Sequence, residues 1–176
     1  MPVWWGVPTT DELFQAVYQA PGDDGPRLVL ADRLQSEGDA RGEFIALQFD
    51  GSARARKRAA KLLERHRAAF LGPLRDAVVV GTDEWERGFL VACVARLDGT
   101  LAASPAWATV KRLGLVPTLA RPTELAGKWM TSLVEVYVAT PHWSTLNIVP
   151  TWQAQWALAD DVLRSVGKEA LLRPGR

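Results

Sequence analysis

The chain holds one cysteine, two histidines and two methionines in 176 residues, and each scarcity removes a class of protein. A lone Cys93 cannot form an internal disulfide, so a disulfide-stapled secreted domain is excluded. His66, Cys93 and His142 stand 27 and 49 residues apart, which leaves no compact zinc spacing. No apolar run approaches the roughly 18 to 20 residues that cross a bilayer. The opening Met1-Pro2-Val3-Trp4-Trp5-Gly6 lacks the basic start and long apolar stretch of a secretory signal, and the expected compartment is the cytoplasm. Also missing are a GxGxxG after a strand, a phosphate loop ending in Lys-Ser/Thr, and a Gly-x-Ser-x-Gly elbow. No cofactor, metal ligand or catalytic residue is expected, and the chain reads as a non-enzyme.

What is present is globular in composition. Hydrophobic residues make up 48% and charged residues 23%, which excludes wholesale disorder, a collagen-like chain and a coiled coil. The length suits one domain over residues 1–176 with a substantial core. Charge is unevenly spread. Residues 1–50 carry nine acids against three arginines, a net of −6, while residues 51–76 carry eight bases against Glu64 and Asp76, a net of +6. Such neighbours either pair with each other inside the fold or present separate faces to a charged partner. Internal pairing is the expectation.

The pattern predicts a helical part over residues 9–75. Thr9-Thr10-Asp11-Glu12 has capping-box spacing, and Leu13, Phe14, Val17 and Tyr18 follow on one stripe, giving a helix over 10–20 that Pro21-Gly22 stops. A second helix starts at Pro26 and ends at Gly38. Asp39 caps a third, which ends near Asp50-Gly51; within it, Gly42 marks a close approach to another backbone or the first turn of a short helix. Residues 53–70 make the longest helix, with Ala59, Leu62, Leu63 and Phe70 on one side and Arg54, Arg58, Lys61 and Arg65 on the other.

After Leu71-Gly72-Pro73 the periodicity changes, and residues 76–176 read as a strand-rich part with a C-terminal helix. Strands are expected at 89–97, 110–116, 133–138 and 145–149. The second and third share an apolar-x-x-apolar-x-apolar pattern 23 residues apart, which is leucine-rich-repeat spacing. Two degenerate units fall short of a solenoid, so a small mixed or antiparallel sheet is expected, with a hairpin at Pro141-His142. A last helix runs from Thr151 with Trp152, Trp156, Ala159, Leu163 and Val166 on its stripe. The fold class is α+β: about four helices, then the sheet and a closing helix.

The segment Pro26-Arg27-Leu28-Val29-Leu30-Ala31-Asp32-Arg33-Leu34, followed by Gly38-Asp39-Ala40-Arg41-Gly42-Glu43-Phe44-Ile45-Ala46-Leu47-Gln48, resembles the bacterial repeat-companion domain family of myxobacteria and planctomycetes. The resemblance covers about residues 9–95 and includes the basic helix ending Ala69-Phe70-Leu71-Gly72-Pro73-Leu74 and a strand start at Gly88-Phe89. It implies a helical unit placed before leucine-rich-repeat-like segments. It supplies no reaction, and so implies a binding or accessory role. A short protein of this kind in competitive bacteria is expected to act as an immunity partner that neutralises a delivered toxin.

Each candidate group has an ordinary reading beside the functional one. Asp32, Asp39, Arg41 and Glu43 resemble an acid–base cluster, but capping by Asp39, and bonds from Asp32 or Glu43 to Arg41 or to a helix end across the turn at Gly38, explain them structurally. Cys93 lies in Leu90-Val91-Ala92-Cys93-Val94, where a thiol is a small buried hydrophobe. The seven cations from Arg54 to Arg67 suit phosphates, which makes a nucleic-acid accessory role the alternative; the near-neutral total argues for protein recognition instead. Of the eight tryptophans, most belong in the core. Trp4 and Trp5 precede the first cap and are either a clasp on the core or an anchor for a partner. The expected partner surface comprises Arg54, Arg58, Lys61, Arg65, Trp4, Trp5, Asp23 and Asp24.

Overall fold

The computed structural model describes residues 7–96, 104–116 and 130–138. The expectations for Trp4 and Trp5, for the strand at 145–149, for the hairpin at Pro141-His142 and for the helix from Thr151 lie outside these residues.

Four helices come first, each with the terminus its sequence demands. Helix α1 (Thr10–Gln19) opens on a complete capping box, in which the Thr9 hydroxyl accepts from the Glu12 N–H and the Glu12 carboxylate accepts from the Thr9 N–H. Helix α2 (Gly25–Ser36) has proline in its first turn. The Asp39 carboxylate accepts from the Arg41 N–H at 2.8 Å to start α3 (Ala40–Asp50), and Gly51 ends it in the left-handed conformation, φ +65°. The Ser52 hydroxyl caps α4 (Ala53–Leu71) through the Ala55 N–H.

Helices α2 and α3 pack closely because Gly42 lets them. A Cβ at Gly42 would sit 2.6 Å from the Gln35 nitrogen and 2.7 Å from the Ala31 oxygen, so this glycine marks a close approach to another backbone, and it also lies in the first turn of α3. Leu30, Leu34 and Ile45 are buried at this contact with Leu13 and Val17 of α1. On the far side of α3, Phe44 stacks on Phe70 of α4, with centroids 5.0 Å apart.

A four-stranded sheet follows, ordered β1 (Glu84–Glu86), β2 (Phe89–Ala95), β3 (Arg112–Leu115), β4 (Glu135–Val138). The architecture is thus α+β, four helices and then a small mixed sheet. Strands β1 and β2 form an antiparallel hairpin whose two central residues, Arg87 and Gly88, have φ of +51° and +83°, as a type I′ turn requires. From β2 onward the pairing is parallel and in chain order. Cys93 is in register with Leu113, 20 residues on, and Leu113 with Val136, a further 23. The repeat-like segments therefore stack in parallel, with a 3-10 helix (Pro105–Thr109) in the first crossover. Cys93, Ala95, Leu113 and Leu115 face a core centred on the fully buried Trp107.

Helices and sheet meet at the β1–β2 hairpin. Residues 41, 45 and 48 share one face of α3 at spacings of four and three. Arg41 Nη2 donates to the Gly88 carbonyl at 3.3 Å, and the Gln48 side chain accepts from the Gly88 N–H at 2.6 Å. Ile45 fills the space where a Gly88 side chain would stand. Arg87 reaches back to Asp24 at 2.5 Å, and Arg67 of α4 holds Asp83 at the start of β1.

Candidate binding surfaces

The outer side of α4 carries a row of exposed cations. Arg54, Arg58, Lys61 and Arg65 are exposed, as are Arg56 and Lys57. The helix is fixed from beneath by Ala55, Ala59, Phe70 and Leu71, so these cations project from a rigid support. Arg58 pairs with Glu43, and Arg67 on the inner side pairs with Asp83. Arg54, Arg56, Lys57, Lys61 and Arg65 make no ion pair among the described residues.

The acidic block does not neutralise them, contrary to expectation. Glu12, Asp39 and Asp50 are spent on backbone N–H groups at helix ends and the α3–α4 turn. Glu37 takes Arg33 and the Thr10 hydroxyl. Asp23 accepts from the Gly25 N–H at 2.9 Å, and Asp24 holds Arg87. The two proposed acidic contact residues are therefore tied to the fold: one shapes the entry to α2 and the other clamps the hairpin turn. Among the described residues only Arg58–Glu43 joins the acidic and basic blocks. Short-range caps won because an N-terminal N–H lies within reach of its own segment's carboxylate, whereas the cations of α4 turn to the opposite side.

The motif cluster also differs from expectation. Arg41 bonds neither Asp32 nor Glu43. Its guanidinium carbon stands 5.0 and 4.9 Å from the ring centroids of Phe14 and Phe89, with Phe70 at 6.0 Å. Nη1 donates to the Phe70 carbonyl at 2.8 Å, Nη2 to the Gly88 carbonyl, and the buried Nε has no acceptor among the described residues. Burial pulls its pKa below the usual arginine range. A second buried arginine, Arg27, is 5% exposed and stands over the Phe89 ring at 5.4 Å. It differs in having Asp24 at 3.6 Å. Sequence reasoning missed this pairing of cations with aromatics, although Arg27 and Arg41 among Phe14, Phe70 and Phe89 carried its ingredients.

Other candidates are structural. Cys93 is buried, and desolvation pushes its thiol up to about 12, which leaves no thiolate for nucleophilic attack at neutral pH. His66 stacks on Phe70 with centroids 5.8 Å apart. Trp85 donates to Asp83 at 2.6 Å and packs edge-on against Phe44. Among the described residues no group of three His, Cys, Asp or Glu side chains could hold a metal ion, and no helix is long and apolar enough to cross a membrane.

Comparison with known proteins finds no matching family model, curated protein or solved structure.

Proposed function

We propose that this chain is a non-catalytic protein-binding module that docks an acidic protein on the outer side of α4. The observation that supports it is the row of exposed cations, Arg54, Arg56, Lys57, Lys61 and Arg65, which make no ion pair among the described residues, on a helix whose opposite side is locked into the core. Complementary charge of this kind raises association rates and rejects wrong partners. The resemblance to repeat-companion domains adds an accessory role, and an immunity protein masking a delivered toxin is a member of that functional class.

A nucleic acid is the competing occupant, because cations on one helix also suit phosphates. The total charge of +1 and the exposed Glu64 within the ridge favour a protein, whose surface mixes both signs. The test is a charge-reversed chain carrying Arg54→Glu, Lys61→Glu and Arg65→Glu. The natural chain should retain a stoichiometric acidic partner from its native lysate at low salt, and the reversed chain should lose it while keeping its melting temperature. Equal retention by both, or binding of duplex DNA with a steep salt slope, overturns the reading.

A further inference from the structure

A second surface is independent of the basic helix. An open cleft of about 620 Å³ lies where α1, the start of α3, the end of α4 and the 3-10 helix meet. That volume lies in the range of small-molecule sites, roughly 300 to 1,000 Å³. Phe14, Phe70, Pro73 and Pro105 give it apolar walls, and Arg41 and Tyr18 stand on its floor.

Three features define what the floor accepts. First, Arg41 has no carboxylate within ion-pair distance among the described residues, in contrast to Arg27 with Asp24. An arginine carries five N–H donors, and protein carbonyls take one from each terminal nitrogen. Second, Phe14 and Phe89 crowd adjacent sides of the guanidinium, and its remaining N–H donors are met in the plane of the fork. That is the approach of a carboxylate. Third, the Tyr18 hydroxyl has no hydrogen-bond partner among the described residues, while its ring packs on Phe14 and Phe89. It supplies a neutral donor beside the cation.

The walls and rim narrow the class. Aromatic and proline surfaces suit an apolar or aromatic body, and the rim carboxylates of Asp11 and Asp39 repel a doubly charged phosphate more than a single carboxylate. We infer that this cleft binds a small organic monocarboxylate with an aromatic body, its carboxylate held by the edge of Arg41 and the hydroxyl of Tyr18.

The experiment titrates the full chain with 3-phenylpropionate, 3-phenylpropan-1-ol and 3-phenylpropylamine up to about 10 mM, the weak range expected of so small a ligand. Binding is followed by NMR at the arginine Nε–Hε resonances. The acid should saturate and move the Arg41 signal, with the alcohol at least tenfold weaker. Tyr18→Phe removes a hydroxyl that bonds nothing among the described residues; it should weaken the acid about three- to tenfold and leave the alcohol unchanged. Arg41→Lys should abolish the preference for the acid, and if that variant fails to fold, Tyr18→Phe alone decides. Equal binding of acid and alcohol, tighter binding of the amine, an unmoved Arg41 signal, or no saturation by the acid overturns the inference.

Discussion

Single residues set the tightest constraints in this protein, and glycines do so through what they exclude. At Gly42 a methyl group would collide with the backbone of α2, and at Gly88 with Ile45 at a positive φ. Gly42→Ala and Gly88→Ala should each cost about 1–3 kcal/mol, the usual range for overpacking, seen as a lower urea midpoint at unchanged slope. Asp83 tests electrostatics. Burial alone would raise its pKa, but hydrogen bonds from Arg67 and Trp85 outweigh that and hold it below the ordinary 3.8. A carboxylate depressed in the folded state adds stability above its unfolded pKa and loses it as pH falls through the folded value. The gap in urea midpoint between the natural chain and Asp83→Asn should therefore stay constant above about pH 5 and close as pH falls below 4; a gap that is constant down to pH 2 would remove Asp83 from the account.

At the scale of elements, α4 separates stability from recognition. Ser52→Ala removes the only side-chain cap of that helix and should cost about 1 kcal/mol. The triple reversal at Arg54, Lys61 and Arg65 should stay within about 0.5 kcal/mol, because exposed charges that pair with none of the described residues hold little in place. Thermal melts of both variants check the contrast. The helices were legible in the sequence because their signals are local: the capping box, Pro26, Asp39 and Gly51 are each read within a few residues of where they act. The strands from Phe89, at 112–115 and at 135–138 were legible as apolar runs, while β1 was not. Glu84-Trp85-Glu86 shows no apolar run and is a strand only because Phe89–Ala92 pairs with it. The Arg41 cluster was hidden for a similar reason. Its partners Phe14, Phe70 and Gly88 come from α1, α4 and the hairpin, separations that no local pattern encodes, so nearby carboxylates were the natural but mistaken choice.

For the whole molecule, the joint between helices and sheet is the decisive feature, and it rests on few bonds. Gln48→Ala would strip the acceptor from the Gly88 N–H and should raise hydrogen-exchange rates at Gly88 and along β1, with α1 and α2 little changed. Uniform acceleration across all four helices would instead mean that the chain opens as a single cooperative unit. The parallel strands lie in chain order away from this joint, each offset from the last by 20 or 23 residues. Among the described residues β4 is the strand farthest from the hairpin grip, so a change of length in the crossover that leads to it would be absorbed at the far side of the sheet and leave the helical mount as it is.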